Sequence, residues 1–96
     1  MITNRVPCSV GLGEDLDLEV ESRASSGYRW QMETPEGAAW KVVDFGSRVD
    51  PARGATKLVW RVTMLLPGRW SIAFCRRRPW ESAPAEERIF DIQVAP

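Results

Sequence analysis

Apolar and polar residues alternate with a period of two along most of this chain, and no segment carries the 3.6-residue period of an amphipathic helix. Successive side chains of an extended backbone point to opposite faces, so this alternation specifies strands with one buried and one solvated face. Leu16, Leu18 and Val20 alternate with Asp15, Asp17, Glu19 and Glu21, while Tyr28, Trp30 and Met32 alternate with Arg29, Gln31 and Glu33. Leu58, Trp60, Val62 and Met64 share one parity, Trp70, Ile72 and Phe74 another, and Phe90, Ile92 and Val94 a third. Val6 to Val10 predicts an opening strand, and Trp40-Lys41-Val42 a short one. Turn formers separate these runs at Gly11-Leu12-Gly13, Ser26-Gly27, Pro35-Glu36-Gly37, Pro51-Ala52-Arg53-Gly54 and Pro67-Gly68. Pro67-Gly68 has the composition of the central pair of a type II turn and is expected to join two antiparallel strands. The pattern predicts an all-β fold, an immunoglobulin-like antiparallel β-sandwich of about seven strands, with Trp30 as its buried tryptophan.

A chain of 96 residues is expected to form a single domain over 1–96, burying roughly 60–65% of its unfolded surface. Thirteen basic residues balance thirteen acidic ones, so the global field that draws proteins to nucleic acid or anionic membranes is missing. No run approaches the ~20 apolar residues of a bilayer span, and no signal-peptide apolar segment follows Met1-Ile2-Thr3-Asn4-Arg5. As written, the chain is expected to be soluble and cytoplasmic, or periplasmic or secreted if a leader was removed. Cys8 shares the parity of Val6 and Val10, whereas Cys75 alternates with Phe74 and points the other way, so no disulfide between them is expected.

The chain contains no histidine, which removes the commonest general base and the commonest transition-metal ligand. Two cysteines on opposite strand faces do not make a zinc site, and no glycine-rich phosphate cradle precedes a helix. The carboxylate pairs Glu14-Asp15 and Glu86-Glu87 read as solvated strand ends. These features predict a protein that is not an enzyme and needs no cofactor and no metal.

What remains is a set of loops. In a sandwich, the second, fourth and sixth connections emerge at one end, which here collects Arg23 to Gly27, Asp50 to Thr56, and Arg77 to Glu87. Ser25-Ser26-Gly27 is small, and Gly27 is the natural site for a positive φ. Arg78-Pro79-Trp80 puts a large indole on a proline-stiffened backbone, the property expected of an anchor for a protein partner. Arg76-Arg77-Arg78 beside Trp80 could also make a small nucleic-acid patch, but Glu81, Glu86 and Glu87 stand close enough to neutralise it.

In order, Ser25-Ser26-Gly27-Tyr28-Arg29-Trp30, then Arg53-Gly54-Ala55-Thr56, then Arg78-Pro79-Trp80 resemble the three loops of the chagasin-type inhibitors of papain-like cysteine proteases. In that family the first loop reads Asn-Pro-Thr-Thr-Gly-Tyr or Phe, the middle loop is glycine-rich, and the third carries Arg-Pro-Trp. Val10-Gly11-Leu12-Gly13-Glu14 and Phe90 to Val94 extend the resemblance over nearly the whole chain. It implies a reversible inhibitor, acting as a monomer on an endogenous or foreign papain-like protease. The first loop would cover the catalytic thiolate and the other two would clamp the cleft walls. The protease-binding residues carried over are Ser25, Ser26, Gly27, Tyr28, Arg53, Gly54, Arg78, Pro79 and Trp80.

The chain departs from the family pattern in places. Arg23-Ala24 replaces Asn-Pro, the serines lack the β-branch of threonine, and the middle loop keeps one glycine, Gly54. The first two changes reduce preorganisation, and Arg53 beside Gly54 adds bulk and charge to the middle loop. They leave open an alternative: a non-inhibitory immunoglobulin-like binding module whose loops have diverged toward another protein.

Overall fold

The computed structural model of the chain describes residues 2–22, 27–52 and 54–96. Seven strands run in the order β1 (Ile2–Gly11), β2 (Asp15–Ser22), β3 (Arg29–Met32), β4 (Trp40–Asp50), β5 (Ala55–Met64), β6 (Gly68–Arg77) and β7 (Glu86–Ala95). They form a four-stranded sheet of order β1-β7-β6-β3 facing a three-stranded sheet of order β2-β5-β4. No helix occurs among the described residues.

The alternating runs supply the core. Leu18, Val20, Val62 and Met64 from the smaller sheet, with Ile72, Phe74 and Ile92 from the larger, are almost wholly removed from solvent. Each such side chain contributes about 1.5–3 kcal/mol through the apolar surface it hides from water. A chain of rings, Phe45 on Trp60 at 4.8 Å, Trp60 on Phe74 at 4.6 Å and Phe74 on Phe90 at 5.6 Å, crosses from one sheet to the other. Trp30, on β3, is buried as expected. The polar half of the alternation lies outside, where Asp17 accepts from Arg61 Nε at 2.9 Å.

Three features differ from the sequence expectation. First, β1 pairs with β7 in parallel, from Ile2 opposite Glu86 to Gly11 opposite Ala95. The first and last strands have no short connection between them, so nothing local forces them antiparallel. Second, β4 continues well beyond Val42. A register shift between Val42 and Asp44 places Phe45 opposite Trp60 and Val49 opposite Thr56, so the inward parity changes and the alternation is masked. Third, Pro67-Gly68 does not close a hairpin, because β5 and β6 lie in different sheets. Gly68 instead opens β6 opposite Val94, with φ of 123°.

Two registers fix where the connections lie. Ser22 at the end of β2 stands opposite Thr56, and Asp50 at the end of β4 opposite Ala55. In the other sheet, Arg29 at the start of β3 stands opposite Arg77, and Arg76 opposite Glu86. Trp30 Nε1 donates to the Glu21 carbonyl at 3.0 Å and ties the two sheets together near this end. The β2–β3, β4–β5 and β6–β7 connections therefore open at the same end of the sandwich.

Candidate functional site

The β6–β7 connection is the best-defined part of this end. Glu81 N donates to the Arg78 carbonyl at 3.0 Å, closing a four-residue turn with Pro79 and Trp80 at its centre. No residue other than glycine has positive φ among the described residues, so the turn is of the type I family, for which Pro is favoured at the first central position. Trp80 therefore sits at the apex, with 74% of its surface exposed. Single exposed apolar residues are common, but one fixed on a closed Pro turn at a loop tip is a preorganised contact.

Arg78 holds the apex to the first connection. Its guanidinium lies 4.5 Å from the Tyr28 ring centre and 5.9 Å from that of Trp80, and Nη1 is 3.7 Å from Glu81 Oε1. Arg76 approaches the same Tyr28 ring at 4.8 Å. Tyr28 and Trp80, which the chain separates widely, thus share one cation between two aromatic faces. Trp30 opposite Arg76 sets the parity that brings Tyr28 to Arg78.

Beneath the tip lies a charge hub. The Glu86 side chain, only 14% exposed, reaches Arg76 Nη2 at 3.4 Å and Arg88 Nη2 at 3.1 Å. Arg88 in turn lies 5.4 Å from the Trp30 ring centre. Arg77 donates to the Glu33 carboxylate and, through Nη1, to the Ser82 carbonyl at 3.3 Å. Ala85 N donates to the Arg76 carbonyl at 2.8 Å, closing the base of the connection. Arg76 and Arg78 are neutralised by Glu86 and Glu81 as expected, whereas the acid that holds Arg77 is Glu33, just past β3, and not Glu87. Glu86 differs from its reading as a solvated strand end, because the inward parity of β7 carries it under the tip.

The remaining expected residues are placed as follows. Gly27 is exposed with φ of 74°, and Gly54 closes the β4–β5 connection with φ of 62°; both are backbones that L side chains disfavour. Asp50 Oδ1 accepts from Ala52 N at 3.1 Å and shapes that turn. Ser25, Ser26 and Arg53 lie outside the described residues, as do Arg23 and Ala24. The structure brings Tyr28, Arg78, Pro79 and Trp80 together directly, and sets Gly27 and Gly54 at the same end. Sequence reasoning missed the bracing roles of Arg76, Arg77, Glu33, Glu86 and Arg88; shared strand parity was the available signal for Arg76, Glu86 and Arg88.

Burial pushes the thiols of Cys8 and Cys75 above their ordinary range, with Asp91 adding to the shift at Cys8 and Glu33 and Glu87 at Cys75. Such thiols are poor nucleophiles at neutral pH.

A two-sheet β-sandwich that displays a braced aromatic apex among clustered loops defines a loop-presenting binding protein. Residues 9–94 match the model of the chagasin family of peptidase inhibitors, and the chain belongs to that family. It is accordingly a protein inhibitor of cysteine proteases and not an enzyme. Among solved structures it is similar to the cysteine protease inhibitor EhICP2 from Entamoeba histolytica, with a TM-score of 0.78, 16% identity, and 98% of this chain and 92% of that one covered. PbICP-C, solved in complex with falcipain-2, gives a TM-score of 0.75 at 17% identity, covering 97% of this chain and 89% of that one. The solution structure of Amebosin gives 0.62 at 18% identity, covering 98% and 97%. By sequence alone, no curated protein matches the chain.

Proposed function

We propose that the chain blocks papain-like cysteine proteases by seating the three-loop end of its single domain in the active-site cleft. Ser25, Ser26 and Gly27 cover the catalytic thiolate, with Tyr28 leading directly into β3, the strand that supports them. Arg53 and Gly54 rest on one cleft wall, and Arg78, Pro79 and Trp80 on the other. The observation that carries this reading is the Arg78 bridge, which joins the base of the first loop at Tyr28 to the exposed indole of Trp80. No bond is made or broken by the inhibitor, so binding is reversible and its strength comes from surface covered by a preformed tip. The falcipain-2 complex of PbICP-C, a protein with a similar fold, supports a papain-like target.

The test is a titration of papain and a cathepsin-like protease with the purified chain, following peptide hydrolysis. Concentration-dependent, dilution-reversible inhibition is expected. Full activity at micromolar chain would reject the reading and favour a binding module with diverged loops.

A further inference from the structure

We infer that the flank of the larger sheet beside the Trp80 turn is a carboxylate-recognition site, in which Arg29 receives an acidic side chain from the target protease and so determines which proteases are held tightly. The inference rests on the cleft-seating reading above and names a contact outside the three loops.

Arg29 is the first residue of β3 and stands directly opposite Arg77 of β6. Trp30 and Arg76 face the core end of the sandwich, so Arg29 and Arg77 rise together on the outer face. A cleft of about 380 Å³ opens there, lined by Arg29, Gln31, Arg77, Pro79 and Glu81. Pro79 is part of its wall, so a group bound in it lies next to the residue that carries the indole. β3 is the edge strand of its sheet, and among the described residues no strand lies beyond it.

The other charges in the cleft are already engaged. Arg77 is held by Glu33 and the Ser82 carbonyl, and Glu81 pairs with Arg78. Exposed Arg29 has no ion pair among the described residues. Like charges directly opposite on neighbouring strands repel, and Glu33 relieves that repulsion only from the Arg77 side. An incoming carboxylate would relieve it from the other side without first displacing an internal partner. The guanidinium fork suits a carboxylate in two-point contact, and Gln31, two residues along the same face, adds an amide donor. A rim charge of this kind acts on specificity and association rate, and its effect is screened by salt.

The experiment measures inhibition constants of the wild-type chain and of Arg29→Gln, Arg29→Glu and Lys41→Glu against papain and a panel of papain-like proteases, at about 50 and about 500 mM NaCl. Lys41 is exposed and pairs with Thr63, at the opposite end of the sandwich, and serves as the charge-reversal control. Arg29→Glu places opposite charges across from each other at Arg77, so its melting temperature is expected to equal or exceed that of the wild type. For the proteases bound most tightly, Arg29→Glu is expected to raise the inhibition constant at least about tenfold at low salt and much less at high salt. Arg29→Gln is expected to fall between, and Lys41→Glu to stay within about twofold. Inhibition by Arg29→Glu within twofold of wild type for every protease that the wild type inhibits would overturn the carboxylate site while leaving the cleft-seating reading intact. A wild-type chain that inhibits none of them would overturn that reading and this inference with it.

Discussion

Replacing Trp80 with alanine separates the tip from the scaffold more cleanly than any other single change. A tryptophan presents up to about 250 Å², and 74% of Trp80 is exposed in the free chain, leaving about 185 Å² for a protease surface to cover. At about 25 cal/mol per Å², complete burial would contribute about 4.6 kcal/mol. Alanine retains part of that area and real cleft walls leave gaps, so a loss of about 2–4 kcal/mol is expected, within the range of interface anchors. The inhibition constant should rise roughly 30- to 1,000-fold, mostly through faster dissociation. Folding should change little, because the indole leaves only its stacking with Arg78, worth about 0.5–1 kcal/mol at an exposed site. Peptide-hydrolysis titrations read the first quantity and thermal melts the second. An inhibition constant within threefold of wild type would remove Trp80 from the contact surface. A melting temperature that collapses alongside inhibition would make the residue structural and refute the reasoning.

Other perturbations address the parts that hold the tip. At Gly27 an added Cβ meets no described residue within 4 Å, so Gly27→Ala should cost chiefly the strain of a φ of 74°, about 1 kcal/mol, while inhibition weakens more than stability; equal losses would assign the glycine to the scaffold. Glu86→Ala leaves Arg76 and Arg88 facing each other without their shared acid, and should cost about 2–3 kcal/mol, lowering the melting temperature by roughly 10 °C or more; an unchanged melt would show the hub to be dispensable. A pH series probes Asp91, whose carboxyl is held below the ordinary range first by the Ser71 hydroxyl and then by Arg5. A depressed folded value means stability that is present above about pH 4 and lost as pH falls through the lower folded value, so Asp91→Asn should flatten the acid limb of melting temperature against pH; an identical limb would contradict the assignment.

Strand positions were legible wherever one face was buried and the other wet, as in β2, β5 and β7, because burial itself imposes the alternation. The long second half of β4 was not, since the bulge at Val43 inverts parity. Its inward residues past that point lack cover as well: Phe45 is 54% and Val49 73% exposed. The parallel pairing of β1 with β7 was also illegible, because alternation records faces and not partners. At the tip, loop composition was sufficient to single out Gly27, Gly54 and the Arg78-Pro79-Trp80 turn. The ion-pair hub was hidden because Glu86 and Arg88 continue the inward parity of Phe90 and Ile92 past the apolar core, where polar residues read as solvent-facing.

The central claim is that this tip covers the thiolate of a papain-like protease. Papain can be mixed with a slight excess of the chain and challenged with iodoacetamide, and alkylation of the papain catalytic cysteine followed by mass spectrometry. Cys8 and Cys75 of the inhibitor are poorly reactive because burial raises their thiol pKa values, so they compete little for the reagent. The account predicts that one equivalent of chain protects the papain cysteine, and that Trp80→Ala protects it only at much higher concentration. Alkylation at the rate of free papain, with the complex demonstrably formed, would mean that the chain binds elsewhere.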